Sequence, residues 1–187
     1  TILGSYSESR SLRELMQYLA PLKVGPKRVS EICDYFGSKA LQIVKEKPFR
    51  LCELSGFGFE SADIIARRNK NFRPDDTLRI KAAILQVLKN SEGDGHLYLE
   101  GRGIVRQAAE LLNYGIYRQA VNTRLIKDIG NEMVFSDELL AAEGHYLYSM
   151  KNYMAEKMAA VHILRVMNNK QPVYDIEREL DEVQGTT

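Results

Sequence analysis

Long apolar runs are missing from this 187-residue chain. No stretch approaches the roughly 18 apolar residues that a membrane-crossing helix needs. Residues Thr1 to Arg10 also lack the basic-then-apolar order of a secretory signal. Cysteine is scarce: Cys33 and Cys52 are the only two, each inside an apolar-periodic segment, which argues against a disulfide framework and for a reducing cytoplasm. Histidine is limited to His96, His145 and His162. None has a Cys or a second His at ligand spacing, so side-chain metal binding is not expected. No Gly-x-x-x-x-Gly-Lys-Ser/Thr loop is present to cradle nucleotide phosphates, and no acid–base pair of carboxylates stands out. The chain is therefore not expected to hydrolyse nucleotides by itself, to hold a cofactor or to act as an independent nuclease or glycosylase. An initiator methionine is missing as well, which fits an excised piece of a larger protein.

What is present is an ordinary globular composition, 44% apolar and 27% charged, enough for one large domain or two small ones. The net charge of +1 hides an asymmetry. From Arg10 to Arg73 there are 13 Lys and Arg against 7 Asp and Glu, whereas residues 74–187 carry 13 against 17. A basic half on a near-neutral chain suits a polyanionic partner.

The first half reads as short helices punctuated by Pro and Gly. Leu12, Leu15, Met16 and Leu19 have helical spacing, and Pro21 stops that helix. Val29, Ile32, Cys33 and Phe36 form a second stripe, closed by Gly37. Ser38 is expected to cap a third helix, and Pro48 to open a fourth. Around the turns runs a weak repeat: Val24-Gly25-Pro26 followed by Val29, Ile32 and Phe36 parallels Phe57-Gly58-Phe59 followed by Ala62, Ile65 and Ala66. Each is helix, tight turn, helix.

In the second half, a helix capped by Thr77 or Asp76 and running to about Asn90 precedes a strand-like run at His96 to Leu99. Two helices follow, the second from about Tyr117 to Ile129, with Gly130-Asn131 expected to break it. Met133 to Phe135 and His145 to Tyr148 read as two strands, and a long helix runs from about Asn152 to Met167. The expected fold is thus mainly α. A tandem helix-hairpin-helix module (1–76) is followed by a small α/β winged-helix-like unit with its long C-terminal helix (77–169), and a linker occupies 170–187.

The hairpin at Ser55-Gly56-Phe57-Gly58-Phe59 carries the clearest chemistry. Gly56 and Gly58 are expected to take positive φ and let the backbone approach another surface, so a β-branched residue at Gly58 should damage the turn. The free amides of the turn and of the next helix start would form an anion site, with Ser61 adding a hydroxyl and Arg67, Arg68 and Lys70 flanking charge. On DNA that anion is a backbone phosphate, read without regard to sequence. The residues expected to contact DNA here are Gly56, Phe57, Gly58, Phe59, Ser61, Arg67, Arg68 and Lys70, with Glu60 and Asp63 weakening the local field. The first hairpin would add Gly25, Lys27 and Arg28, although Lys23 occupies the place of its first glycine. In the winged-helix-like unit, Arg118, Arg124 and Lys127 could reach a major groove, but the acidic balance of that half favours a packing role. Tyr146, Tyr148 and Tyr153 fit half-buried positions better than base stacking.

These residues resemble a known family. Leu54 to Ala66, Leu-Ser-Gly-Phe-Gly-Phe-Glu-Ser-Ala-Asp-Ile-Ile-Ala, looks like the hairpin of RecD-like superfamily 1 DNA helicases, relatives of the exodeoxyribonuclease V alpha subunit. Asp94 to Leu99 is similar to their Glu-Gly-His-x-Tyr-Leu segment, and Glu46 to Leu51 resembles their Glu-Asn-Pro-Tyr-Arg-Leu run. The resemblance spans about Ser11 to Met167. It implies a region N-terminal to an ATPase core, with Glu179 to Thr187 leading toward that motor. It also implies ATP- and Mg-dependent 5′-to-3′ unwinding by the full protein in DNA repair or recombination. The partners implied are DNA, single-stranded or at a junction, and the parent's own ATPase domain, in the cytoplasm and with no membrane. A scaffold that docks the motor without touching DNA is the alternative.

Overall fold

A computed structural model describes residues 2–22, 24–116, 121–136 and 139–168, with side chains from Arg10 onward. The chain divides into two compact units, 1–150 and 151–187. Among the described residues, the first contains seven α-helices and a small sheet: α1 (Ile2–Leu19), α2 (Pro26–Phe36), α3 (Ala40–Glu46), α4 (Phe59–Ala66), α5 (Thr77–Gly93), α6 (Gly101–Asn113) and α7 (Thr123–Phe135), with strands β1 (Tyr98–Glu100), β2 (Leu140–Glu143) and β3 (Tyr146–Ser149). Short 3-10 turns at Ala20–Leu22, Gly37–Lys39 and Pro48–Glu53 connect the early helices. Helix α8 (Met150–Asn168) provides the described part of the second unit, and exposes Met154, Met158, Val161 and Ile163.

The fold is mainly α, with the helix-hairpin-helix arrangement first and the order helix, strand, helix, helix, strand, strand after it. The sheet is antiparallel in the order β1-β3-β2, with Leu99 opposite Leu147 and Ala142 opposite Leu147. Leu99 and Leu147 pack against the core. On the other face Tyr98 and Tyr146 stay about half exposed and meet edge to face at 5.0 Å, while Tyr148 is buried. The two-residue turn between β2 and β3 places Gly144 at φ +61°, as a tight hairpin requires.

Several local expectations give way to packing. Gly130-Asn131 does not break α7, which starts at Thr123 behind the cap Asn122 and continues to Phe135. Ile126, Ile129 and Met133 extend one buried stripe across the glycine, whose missing Cβ faces Ile84 Cδ1 at 3.8 Å. Burial along that stripe outweighs the roughly 1 kcal/mol helix penalty of Gly. Met133 to Phe135 is therefore helical, and the strand lies later, at Leu140–Glu143. Tyr117 and Arg118 lie outside the described residues. Ser38 sits in a 3-10 turn, and α3 starts at Ala40 without a side-chain cap. His96 precedes β1 and His145 occupies the β2–β3 turn, so neither is a strand residue. Cys33 and Cys52 are free thiols; burial pushes the Cys52 thiol up to about 11.

Two apolar cores meet along α4. One gathers Leu15, Leu19, Val29, Ile32, Leu51, Phe57 and Ile65. The other gathers Phe49, Phe59, Ala62, Ala66 and the inner faces of α5, α6 and α7, so it runs unbroken across residue 76. Phe57 and Phe59 flank Gly58 and enter different cores, which pins the hairpin from both sides.

Candidate nucleic-acid interface

The second hairpin begins at Ser55, after the Pro48–Glu53 turn. Leu54 accepts a hydrogen bond from the Phe57 amide at 3.2 Å, and Gly56 closes the bend at φ +82°, a conformation that L side chains rarely adopt. Gly58 differs from expectation. Its φ of −99° and ψ of 170° are extended, and it serves as the N-cap of α4. Its role is proximity rather than handedness: a Cβ there would lie 3.2 Å from Gln86 Oε1. That same oxygen accepts the Phe59 amide at 3.0 Å. The first amide of α4 is thus satisfied by a side chain of α5 and turned away from any ligand. Phe59 itself is buried, stacked on Phe49 with centroids 5.9 Å apart. The amides of Glu60 and Ser61 in the same first turn lack an intrahelical acceptor by their position.

The first hairpin has the same local form. Gly25 is the N-cap of α2 with extended φ −69° and ψ 158°, like Gly58, and has no side-chain cap. The two hairpins are brought together by Arg28. Its Nη1 donates to the Gly56 carbonyl, and its guanidinium lies over the Phe57 ring, 5.0 Å from the centroid. Between them is a concavity of about 240 Å³ lined by Gly25, Arg28, Gly56, Phe57 and Ser61, with Leu22, Val24, Ile64 and Ile65 completing its wall. Five of the residues expected at the site therefore converge on one place. Lys27 is exposed beside it in the first turn of α2. Lys23 lies outside the described residues.

Arg67, Arg68 and Lys70 do not join that group. They follow the last residue of α4, at the far end of an eight-residue helix, about 12 Å along its axis from the turn. Arg67 is committed to structure: Nε donates to Asp63 Oδ2 at 2.9 Å and Nη2 to the Tyr114 carbonyl at 2.9 Å. Arg68 and Lys70 are exposed. Asp63, expected to weaken the field at the hairpin, is buried and neutralised. Arg79, fully buried, holds it with Nε at 2.7 Å and Nη2 at 3.1 Å. Glu60 remains the exposed carboxylate of that turn.

The structural residues that sequence reading missed are Gln86 and Arg79. Both sit on α5, 27 and 16 positions from the groups they hold, and neither separation leaves a local pattern. Arg79 also donates to the carbonyls of Pro74 and Leu112, each at 2.9 Å, and lies over the rings of Phe59 and Phe72. Among the described residues no cluster of His, Cys, Asp or Glu could hold a metal ion, and no helix is long and apolar enough to cross a membrane.

Two adjoining hairpins, each placing a glycine N-cap ahead of a helix, define the helix-hairpin-helix class. Within it, residues 8–98 match the family model described as the ATP-dependent RecD2 DNA helicase HHH domain. The match, over just under half of the chain, supports a RecD-like helicase N-terminal fragment.

Proposed function

We propose that the chain is an accessory DNA-binding region of an ATP-dependent 5′-to-3′ DNA helicase acting in repair or recombination in the cytoplasm. It grips the DNA backbone without reading sequence, on single strands or at junctions. The observation that carries this reading is the convergence of both hairpins on one small concavity. Arg28 supplies charge at its wall, Ser61 a hydroxyl, and the turns bring main chain close enough to meet a phosphate. The family model that residues 8–98 match supports the helicase setting. In this reading ATP and magnesium are held by the motor domain of the parent, reached through the linker 170–187, and by none of the residues of this chain. A motor-docking scaffold without DNA contact is the second reading; the Phe59 amide, occupied by Gln86, favours it by removing one donor from the hairpin.

Salt-dependent binding separates the two. With a fluorescein-labelled duplex bearing a single-stranded tail, contact to about four phosphates gives a log–log salt slope near −3.6 on duplex, or about −2.8 on single strand. The double substitution Lys27→Glu with Ser61→Glu places two carboxylates at the concavity. Affinity is expected to fall at least tenfold, with a shallower slope and an unchanged circular dichroism spectrum. No binding of the unmodified chain at low salt, or an identical slope in the variant, would leave the scaffold reading standing.

A further inference from the structure

The walls of α6 and α7 and the β2–β3 turn enclose an open groove of about 1170 Å³, larger than the roughly 300–1,000 Å³ typical of small-molecule pockets. It shares no lining residue with the hairpin concavity. Its floor is apolar, made by Ile84 of α5, Ile104, Val105 and Ala109 of α6, and Ile126 and Val134 of α7. Phe135, 83% exposed, lines it too. Such a floor is costly to leave wet.

Basic residues outnumber acidic ones in the polar lining. Arg102 and Arg106 lie one turn apart on α6, and Arg124 and Lys127 nearly one turn apart on α7. All four are exposed, and no described residue forms an ion pair with them. Two carboxylates, Glu100 and Glu110, share the lining. The groove is thus net basic within a segment, 74–187, that carries more acid than base.

An apolar trough between two helices with cations on both walls matches one kind of occupant better than a phosphate backbone. Duplex DNA would satisfy the cations and leave the floor in water. An α-helix, about 10–12 Å across with its side chains, can seat one apolar stripe on the floor and present flanking carboxylates to Arg102 and Arg106 on one wall and Arg124 and Lys127 on the other. We propose that the groove receives an amphipathic helix of a protein partner, with apolar residues at i, i+3, i+4 and i+7 and Asp or Glu on both flanks.

The probe is a capped 16-residue peptide with leucines at that spacing and glutamates flanking them, alongside an otherwise identical lysine peptide. Titration followed by fluorescence anisotropy, with methyl shifts of Val105 and Val134 as site reporters, is expected to show saturable binding of the glutamate peptide. Binding of the lysine peptide should be at least tenfold weaker. In the double variant Arg106→Glu, Lys127→Glu, which changes only exposed side chains, the preference should reverse. The proposal is overturned if the glutamate peptide does not saturate the site, or if both peptides bind alike in both proteins. It is also overturned if a DNA duplex displaces the peptide when Lys27→Glu and Ser61→Glu have disabled the hairpins. Because none of these residues lies at the hairpin concavity, failure here is distinguishable from failure of the DNA reading.

Discussion

Replacing Arg79 with methionine is expected to lower the stability of the first unit by about 3–5 kcal/mol, the usual cost of stripping one partner from a buried ion pair. The guanidinium is fully buried and every bond it makes crosses between elements: two to Asp63 on α4, one to the Pro74 carbonyl before α5, and one to the Leu112 carbonyl near the end of α6. Methionine fills similar space but leaves a buried carboxylate and two carbonyls short of donors, each a desolvation cost. Arg67 still holds Asp63 at 2.9 Å, which keeps the loss from being larger. In thermal unfolding this corresponds to a drop of roughly 6–20 °C for a unit of this size. Arg79→Lys should fall between the two proteins, because a single ammonium cannot reproduce the fork.

The informative companion is Arg79→Met combined with Asp63→Leu. If the pair matters through its interdependence, removing both charges should recover at least about 2 kcal/mol relative to the single variant. Arg67, about one-third exposed, can turn to water when its partner goes. A double variant no more stable than Arg79→Met alone would show instead that the two carbonyl contacts and the stacking over Phe59 and Phe72 carry the effect. A single variant that loses less than about 1 kcal/mol would contradict the role assigned to this network. Since Asp63 and Phe59 both lie on α4, the single variant should also loosen the hairpin that α4 anchors.

What was legible in the sequence was local. Glycines, prolines and 3.6-residue stripes placed the turns and helices of the first half, and the Gly37 cap appears at φ +59°. The element order after Asp76 was legible too, although the first strand of the closing pair lies at Leu140–Glu143 and not at Met133 to Phe135, which is helical. The errors arose where distant packing overrules a local signal. Gly130 reads as a helix breaker until Ile84 is known to lie against it. Asp63 reads as a charge repelling DNA until Arg79 is found holding it. Arg67, Arg68 and Lys70 look adjacent to the hairpin in sequence, yet the rise of α4 carries them to its other end. The convergence of Gly25 and Arg28 with Gly56 and Ser61 came into view only with the fold, because nothing in the residue order states that the first turn meets the second.

The two hairpin glycines should respond unequally to substitution. Gly56→Val is expected to cost about 2 kcal/mol or more, because φ +82° is strained for any L residue and worse for a β-branched one. Its Cβ would also stand 3.0 Å from Arg28 Nη1, pushing away the side chain that joins the hairpins. In the proposed DNA-binding role, affinity for the tailed duplex should fall at least tenfold with it. Gly58→Ala should cost less than about 1 kcal/mol: φ −99° suits any residue, and the neighbour at 3.2 Å is the end of the Gln86 side chain, which can shift by a few tenths of an ångström. The residual cost is the poorer N-cap and a weaker bond from the Phe59 amide. Urea denaturation of both variants, with DNA titration of each at fixed salt, checks the contrast. Equal losses at the two positions would mean that close approach, rather than backbone handedness, governs this turn.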